Sequence, residues 1–439
     1  VTAEMQTNYV FLLNADKTFL NMVHPARARE LQNKGKVSVF RVYPYVLILK
    51  NQVLNPLLHP CILKIDTGSK HTGFAIQSGD TILFRMELEH RGETIKSDLS
   101  KRAGFRNGRR SRNTRYRKAR FDRKKPEGWL APSIKHRLLT TETWIKRFMR
   151  YCPIETIEIE QVRFDTQKML KPEIDGVEYQ QGTLFGYEVR EYLLEKWGRQ
   201  CVYCGEDKIA LEVEHIQPKS NGGTDRVSNL TLACHECNQQ KGNQDIKDFL
   251  SGKPDLLKRI LAEAKQPLKD AAAVNSTRFA IVKSAKKLCN SVKCWTGGRT
   301  KFNRCSQGLP KSHSIDAACV GESGEKIVIK TDQALIIKCK GHGNRQARRA
   351  NAQGFPAVKN AKETYKHITA GDIVKVDIKK DRKNIKAGLY TARVKTPTKK
   401  GFEVLIDGFR VSVSTMKDVH FVHRNDGYGY EFQKTTICS

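Results

Sequence analysis

The chain has 439 residues, of which 39% are hydrophobic and only 14 are prolines, and this composition excludes a disordered or collagen-like protein. A chain of this length has room for two to four domains and a sizeable core. Its formal net charge of +33 favours a polyanionic partner, with nucleic acid ahead of a membrane surface.

No segment of the sequence approaches the roughly 20 consecutive apolar residues of a membrane span. The apolar run VFLL at 10–13 is too short for a signal peptide. We therefore expect an intracellular protein, cytoplasmic in a bacterium or archaeon and associated with the nucleoid when it acts. Of the 12 cysteines, four form two CxxC pairs, which indicates metal binding in a reducing compartment rather than disulfides.

The first predicted elements are strands and one short helix. Residues 1–55 predict a small separate module, in which strand-like runs flank a basic helix at 24–36. Two apolar strands then enclose the turn of KIDTGSKHTGFAI at 64–76, and ILFRMELEH at 82–90 is the clearest partner strand. Asp66 lies within the first of these strands, where a carboxylate is costly unless it is paired. We therefore expect Asp66 to face a functional partner.

Positive charge concentrates at 101–125, which holds 13 Lys or Arg residues and a single acid. A solvated helix face or a disordered basic tail is the alternative interpretation of such a run. Interleaved aromatic residues and a position between segments predicted to fold favour a long arginine-rich helix that binds phosphates. Gly104 and Gly108 weaken it as an autonomous helix. The predicted contacts are Arg102, Arg106, Arg109, Arg110, Arg112, Arg115, Arg117 and Arg120.

The rest of the chain mixes helices and strands without an internal repeat or a low-complexity tract. In chain order, the sequence predicts a helix at about 133–150, a strand within 153–165, a helix at 187–198, a cysteine-bearing module at about 199–245, helices at about 255–290, a short helix within 312–321 and a small β-rich domain over the final 75 residues or so.

The two CxxC pairs, CVYC and CHEC, are separated by 29 residues. Four thiolates at this spacing match a tetrahedral structural zinc site. The predicted zinc ligands are Cys201, Cys204, Cys234 and Cys237. Taken alone, the pattern indicates only a small domain stabilised by zinc.

The stretch EVEHIQPKSNGGTDRVSNLTLACHECNQQKGN at 212–243 has the layout of an HNH nuclease. A histidine beside one metal ion can deprotonate water to attack a phosphodiester, and carboxylate and amide oxygens can hold Mg²⁺ against the scissile phosphate. A lone histidine after a strand is more often structural, but both asparagines and both CxxC pairs are in register here. The predicted roles are His215 as general base, Glu214 and Asn238 as Mg²⁺ ligands, Asn229 as a brace for the loop that carries the base, and Lys241 as a phosphate contact.

A second set of acids surrounds this module in the sequence. Glu160 ends an apolar strand, and His313 and Asp316 are three residues apart, so they share one helix face. An RNase H-like nuclease needs several carboxylates that hold two Mg²⁺ ions about 4 Å apart. We expect Asp66, Glu160 and Asp316 to hold these ions, with His313 nearby as proton handler or metal neighbour. For any one of these acids taken alone, the alternative is an ordinary exposed residue at the end of a strand, with no metal-binding role.

The ordered motifs resemble a known family over essentially the whole chain. DTGSKHTG, the E-x-x-R-F at 160–164 and HSIDA resemble the three split segments of a RuvC nuclease domain, and the arginine-rich run resembles a bridge helix. With an HNH module between the second and third segments, the plan resembles IscB, a family of transposon-encoded RNA-guided nucleases related to the larger CRISPR effectors. The sequence departs from that family at FLNM (19–22), where the leading module has Pro-Leu-Met-Pro, at Thr67, where proline is common, and at Glu214, where many members have Asp.

The resemblance implies an α/β multidomain fold. It comprises an RNase H-like RuvC core split in three, an inserted ββα-metal HNH domain with a zinc site, an arginine-rich bridge helix and a small C-terminal β-rich domain. The implied boundaries are 1–55 for the leading module, 56–95 for RuvC segment I, 96–128 for the bridge helix, 129–180 for RuvC segment II and a linker, 181–250 for HNH, 251–335 for RuvC segment III, 336–364 for a basic RNA-contacting linker and 365–439 for the domain that meets the target-adjacent motif.

The resemblance also implies partners and a division of labour. A monomeric protein would bind an ωRNA guide and a double-stranded DNA target that carries a target-adjacent motif. HNH would cut the guide-paired strand and RuvC the displaced strand, with one and two Mg²⁺ ions respectively. Further nucleic-acid contacts are expected from Lys301, Arg345, Arg348 and Arg349.

Two other functions stay open at this point. A guide-independent endonuclease of the homing or restriction type would cut naked DNA with no RNA present. A nuclease-dead RNA-binding module is the second alternative. Against that alternative stand the six intact residues of the two sets, Asp66, Glu160, His313, Asp316, His215 and Asn238.

Overall fold

The computed structural model describes residues 8–112, 129–161, 185–207, 209–265, 269–342, 364–381, 384–398 and 400–434. The chain divides into two compact units, one formed by 1–161 with 277–439 and the other by 162–276. The second unit is therefore an insertion in the sequence of the first. Within the described ranges, no helix has both the length and the apolar character needed to cross a bilayer.

Strands and helices are numbered along the described part of the chain. The strands are β1 (Phe11–Leu13), β2 (Val37–Arg41), β3 (Val46–Leu49), β4 (Cys61–Thr67), β5 (His71–Ser78), β6 (Thr81–Glu89), β7 (Ile154–Glu160), β8 (Leu211–His215), β9 (Leu230–Cys234), β10 (Ser291–Trp295), β11 (Val328–Ile329), β12 (Gln333–Cys339), β13 (Ile373–Ile378), β14 (Gly388–Thr398), β15 (Gly401–Ile406), β16 (Phe409–Val413), β17 (Val419–His423) and β18 (Tyr428–Lys434). The helices are α1 (Pro25–Asn33), α2 (Gly92–Ser111), α3 (Pro132–Tyr151), α4 (Phe185–Lys196), α5 (His235–Lys241), α6 (Ile246–Phe249), α7 (Pro254–Lys265), α8 (Lys269–Lys286), α9 (Gly297–Ser306) and α10 (His313–Ala318). This content confirms the predicted mixed α/β multidomain class.

A sheet of eight strands forms the centre of the first unit. Its order is β10-β7-β4-β5-β6-β12-β18, and β11 pairs with β6. Strands β4, β5 and β6 form an antiparallel meander, whereas β7 and β10 run parallel to β4. Strands β4 and β5 are buried almost throughout, because both of their faces are covered.

Helix α3 supplies much of the apolar cover of this sheet. It begins at Pro132, whose missing N–H costs nothing in the first turn, and it ends just before Pro153. Trp144 and Phe148 are fully buried in the same core cluster as the strand residue Phe74, and the rings of Phe148 and Phe74 lie 5.8 Å apart. The central core is therefore a helix-on-sheet layer.

The leading residues form a three-stranded sheet in the order β1-β3-β2. Phe11 of this sheet is fully buried in the central core, with its ring 5.1 Å from Phe84 and 6.0 Å from Phe148. The small sheet thus packs partly into the core of the first unit and partly around a cluster of its own that includes Val10 and Leu47, and the boundary at residue 55 stays a prediction. Strand patterns in the sequence identified the strands but not the layer that buries them.

Most of the C-terminal region forms a second sheet, in the order β16-β15-β14-β13-β17, around its own core of Val374, Val394 and Phe402. The predicted β-rich character agrees with this. The last described strand, β18, leaves that sheet and pairs with β12, with Tyr430 opposite Ile337. The C-terminal region therefore contributes to both sheets, which the sequence did not predict.

The second unit is a helical domain built around one hairpin. Strands β8 and β9 pair in antiparallel register, and α5 follows β9 directly. Leu193 of α4, Leu232 of β9 and Ile260 of α7 are fully buried in one apolar cluster. This unit has a core of its own, and the predicted helix at 187–198 agrees with α4.

Candidate active sites

Three of the acids and one glycine of the first unit form a single row across the central sheet. Asp66 lies opposite Glu160 on one side and Gly73 on the other, and Gly73 lies opposite Glu87. Residues in register on neighbouring strands project from the same face of a sheet. The row therefore places Asp66, Glu160 and Glu87 on one face, with a gap in side chains at Gly73.

The gap at Gly73 is where helix α10 packs on the sheet. A Cβ at this position would lie 1.8 Å from the carbonyl oxygen of His313 and 3.2 Å from the Cβ of Ala317. Only glycine allows so close an approach of the helix backbone. The approach places Nδ1 of His313 2.8 Å from Oδ2 of Asp66. Asp66 thus faces His313.

The two ionisable groups of α10 are both perturbed by this packing. Burial lowers the pKa of His313, but the hydrogen bond and negative charge of Asp66 outweigh it and raise this pKa to about 9. Burial and the charge of Asp66 raise the pKa of Asp316 to about 6, against the opposing charge of Arg304, whose Nε lies 2.8 Å from Oδ1. Buried groups whose pKa values are strongly shifted by burial and a specific charged partner are typical of functional sites.

The carboxylates of Asp66, Glu160 and Asp316 lie near one another, but they do not form one compact group of metal ligands. Among the described residues, the four CxxC cysteines are the group of possible ligands whose donor atoms all lie within 4.8 Å of one another, and Asp66, Glu160 and Asp316 do not meet that distance. His313 contacts one oxygen of Asp66, and Arg304 contacts one oxygen of Asp316. The donor set suits hard cations such as Mg²⁺ in chemical type, and in this conformation the three carboxylates do not form one compact group of ligands.

Three residues that the sequence analysis missed complete this site. Glu87 accepts a hydrogen bond of 3.0 Å from the backbone N–H of Ser314 at the start of α10. The ring of His71 stacks on that of His313 with centroids 5.3 Å apart, and Arg304 pairs with Asp316. Glu87 alternates with buried apolar residues in β6, so strand periodicity was a usable signal for it, whereas no sequence pattern pointed to Arg304.

In the second unit, the four cysteines of the CxxC pairs form a compact cluster, as predicted. Their sulfur atoms all lie within 4.8 Å of one another, and those of Cys204 and Cys234 are 3.8 Å apart. Tetrahedral zinc with bonds of about 2.3 Å separates its sulfur ligands by roughly 3.8 Å. Burial raises the pKa of Cys201, but backbone N–H donors outweigh it and lower this pKa to about 7, whereas burial and the neighbouring thiols raise the pKa of Cys237. The cluster fits a structural zinc ion.

His215 ends β8 and contacts a carboxylate from the following loop. Its Nε2 lies 2.8 Å from Oδ1 of Asp225. Asn229 accepts a hydrogen bond of 2.9 Å from the N–H of Gln217 and donates one of 3.0 Å to its carbonyl oxygen. These bonds tie the chain just after His215 to the start of β9, which is the bracing arrangement expected for Asn229.

The structure corrects the prediction for Lys241. Its side chain is fully buried, and its Nζ donates to Oε1 of Glu214 at 2.6 Å and to the carbonyl oxygen of His215 at 2.9 Å. A buried ammonium that is already paired is not available to a phosphate. The same pair occupies an oxygen of Glu214, whose side chain is only 10% exposed. The structure therefore places Glu214 in an internal ion pair rather than at an open metal position.

Glu212, two residues before Glu214, is the acid next to Asn238. The Asn238 amide donates to its Oε2 at 2.6 Å, and Nδ1 of His235 lies 3.0 Å from its Oε1. The side chain of Glu212 is 42% exposed, and hydrogen bonds from Asn238 and His235 lower its pKa. Alternation along β8 puts Glu212 and Glu214 on one face. Glu212 and Asn238 are thus neighbouring, partly exposed oxygen donors of the chemical type that a hard cation takes, and the sequence analysis did not include Glu212.

The arginine-rich helix begins earlier than predicted, since α2 runs from Gly92 to Ser111. Arg102, Arg106, Arg110 and Arg112 are exposed, as is Lys301 on α9. The backbone of Arg109 is helical. The predicted contacts Arg115, Arg117, Arg120, Arg345, Arg348 and Arg349 lie outside the described residues.

Two family models match the chain. Residues 201–244 match the HNH endonuclease model, and residues 10–182 match the model of RRXRR proteins. The first match, together with the ββα geometry and the cysteine cluster, identifies an HNH endonuclease domain in the second unit. No curated protein matches the chain.

Among solved structures, the chain is similar to two Cas9 proteins. Streptococcus thermophilus Cas9 in complex with the AGAA PAM is 14% identical over 60% of this chain and 32% of that chain, with a TM-score of 0.22. The Type II-C Cas9 enzyme from Actinomyces naeslundii is 14% identical over 68% of this chain and 45% of that chain, with a TM-score of 0.16. The chain therefore spans between a third and a half of the length of these proteins, and TM-scores this low do not establish a common overall fold.

Proposed function

We propose that this protein is an RNA-guided DNA endonuclease of the IscB type. The observation that carries the proposal is the order of two nuclease-like sites along one chain. Asp66 and Glu160 precede the HNH domain and lie opposite each other on the central sheet, and Asp316 follows that domain on α10, the helix that packs on the same sheet at Gly73. This interleaving is the arrangement expected of a split RuvC domain with an HNH insertion.

In the HNH domain, His215 is the proposed general base. Its imidazole takes the proton of a water molecule that attacks the phosphodiester of one DNA strand. Glu212 and Asn238 are the residues that would hold a divalent ion, and Mg²⁺ bound there would polarise the scissile phosphate. Lys241 supports the site from within, because it fixes the position of Glu214 and of the His215 carbonyl.

In the first unit, Asp66, Glu160 and Asp316 are the proposed acids of a RuvC site. Divalent ions bound there would offset the burial and the negative charge of Asp66, which together raise the pKa of Asp316 to about 6. Nδ1 of His313 lies 2.8 Å from Oδ2 of Asp66, and His313 is the proposed group that holds a proton beside the reacting atoms. We assign this site to the displaced strand and the HNH site to the strand paired with the guide.

The charge of the chain supports a nucleic-acid complex. Neutralising +33 requires a large polyanion, and a guide RNA with a DNA heteroduplex supplies one. The exposed arginines of α2 are the proposed contacts to the guide backbone, in the part of the chain that matches the RRXRR model. The C-terminal β sheet is the proposed region that meets the target-adjacent motif.

A guide-independent endonuclease is the second candidate, because an HNH domain alone also fits enzymes that cut without RNA. The two differ in whether RNA is needed. Sequencing of RNA that copurifies with the protein, expressed with its flanking locus, should give one abundant structured species with a variable segment. A smear of cellular RNA, with DNA cutting unaffected by ribonuclease, would favour the second candidate.

Strand-specific cleavage then tests the two sites. With the identified RNA and a duplex labelled on each strand, His215→Ala should abolish cutting of the guide-paired strand only, and Asp66→Ala should abolish cutting of the displaced strand only. His59→Ala and Asp80→Ala, at exposed positions outside both sites, are matched controls. Cutting of both strands by either active-site variant at the normal rate would refute the assignment.

A further inference from the structure

The sequence SNGGTD at 220–225 has no role in the assignment so far, although the structure holds it tightly. Gly222 has a φ of +81°, and a Cβ at Gly223 would lie 1.8 Å from the carbonyl oxygen of Gln217. Asn229 donates a hydrogen bond of 2.9 Å to the carbonyl oxygen of Thr224. The loop therefore doubles back on the chain beside His215, and the residue before Asp225 is held by Asn229, which directly precedes β9.

Asp225 uses both carboxylate oxygens. Oδ1 lies 2.8 Å from Nε2 of His215, and Oδ2 lies 2.9 Å from Nζ of Lys219. The side chain of His215 is 25% exposed, so the imidazole is partly enclosed. A carboxylate at one ring nitrogen selects the tautomer that carries its proton there, and the other nitrogen becomes the acceptor.

We propose that Asp225 is a positioning residue for His215, which it holds through Nε2–H so that Nδ1 is the atom that deprotonates the attacking water. The inference rests on the proposed nuclease function of this site. The water proton passes to Nδ1, the water oxygen bonds to phosphorus, and the bond from phosphorus to the leaving oxygen breaks, with that oxygen taking a proton from solvent. Asp225 stays ionised and stabilises the imidazolium.

Substitution at 225 in the full-length protein with its copurified RNA tests this role. Asp225→Ala removes both the acceptor and the charge, and should slow single-turnover cutting of the guide-paired strand about 100-fold. Asp225→Asn loses the charge and can present its NH2 group to Nε2, which favours the Nδ1–H tautomer, so it should slow this cutting by about 100-fold or more as well. Binding of DNA and cutting of the displaced strand should change less than twofold in both variants. Asp245→Asn, a charge-matched change at the N-cap of α6 in the same unit, is the control.

A second measurement does not depend on cleavage. Ring ¹⁵N spectra of the histidine-labelled protein in alkaline buffer, with His215 assigned by its loss in His215→Ala, should report the Nε2–H tautomer. Asp225→Ala should shift His215 towards a mixture of tautomers.

Three results would overturn the inference: an Nδ1–H tautomer in the parent protein, cutting rates within twofold of the parent in both variants, or faster cutting by Asp225→Ala, which would make the pair an inhibitory contact. A parent protein that cuts no DNA refutes the nuclease proposal, and the spectra still decide whether Asp225 sets the tautomer.

Discussion

The two candidate sites are built by opposite means. In the first unit, His313 contacts Asp66 from 247 residues away in the sequence, and the row of acids exists only when the central sheet and its core are formed. In the second unit, the cysteine cluster and the base lie within 201–241, on a hairpin and a helix that share a local apolar core, and the cluster fits a zinc ion. One site therefore depends on contacts between distant segments of the chain, and the other on local contacts and on a cluster that fits zinc.

Loss of zinc should be the largest effect that separates the two sites. Structural zinc in small domains contributes roughly 10 kcal/mol or more to folding. Cys234→Ser should therefore unfold the hairpin and α5, with loss of zinc in elemental analysis and rapid proteolysis within 185–265. The first unit should keep its resistance to protease.

Cys294→Ser is the matched control for this experiment, since Cys294 is exposed and lies outside the cluster. A Cys234→Ser protein that keeps the protease resistance of its second unit would contradict the view that zinc fixes this site.

Removal of the buried ammonium of Lys241 should have the next largest effect. Lys241→Met leaves the carboxylate of Glu214 buried without its partner, which typically costs about 3–5 kcal/mol. The unfolding transition of the second unit, followed by denaturant titration, should move to lower concentration. The double variant Lys241→Met with Glu214→Gln should recover part of the loss, because it removes the unpaired charge.

Lys247→Met, at an exposed position in the next helix, is the control for Lys241. The rival reading is the sequence prediction of a phosphate contact. If Lys241 instead contacts a phosphate, Lys241→Met should have the stability of the parent protein, and its DNA binding should depend less on salt. That result would argue against the internal ion pair.

A methyl group at Gly73, beside Asp66 and His313 in the first unit, should lower the free energy of unfolding of that unit by about 1–3 kcal/mol, or by more if α10 cannot shift. The added Cβ of Gly73→Ala would overlap the carbonyl oxygen of His313, so the helix must move away from the sheet. Cutting of the displaced strand should fall sharply while the guide-paired strand is still cut. Gly104→Ala is the control, because a Cβ there meets no atom within 4 Å. Equal loss at both strands would show that the two sites do not depend on separate supports.

The difference between the sites also explains what could be predicted from the sequence. The cysteine cluster, the hairpin and the position of His215 follow from local spacing, so they were found directly. Asp66 and His313 were paired through the family resemblance, because no local pattern links residues so far apart. Glu214 and Lys241 were assigned to ligands outside the protein, since only the packing of α5 on β8 brings them together. The chemistry of a residue was predictable, but its partner was not.

The same limit applies to the packing layers. Phe11 and Tyr430 lie in segments that read as strands, and both are strands in the structure. The sequence assigned each to a terminal domain of its own. Burial of apolar area is favourable against any partner of suitable shape. The periodicity of a sequence therefore predicts which face of a strand is buried, but not which helix or sheet covers that face.

The smallest predicted effect is the loss of stability of the first unit as the pH falls, through His136, and it should not affect the second unit. Burial, followed by the charge of Arg91, lowers the pKa of His136 from 6.5 to about 4. The unfolded chain therefore binds more protons than the folded one between pH 6.5 and 4, so the stability linked to this group is complete above pH 6.5 and is lost as the pH falls to 4. Between pH 6.5 and pH 4, the free energy of unfolding should therefore fall by about 1–2 kcal/mol less in His136→Gln than in the parent protein. His59→Gln, at an exposed position, should leave the profile unchanged. If His136→Gln moves the transition of the zinc-bound unit as well, the two units do not unfold independently, and the separation on which the comparison rests is lost.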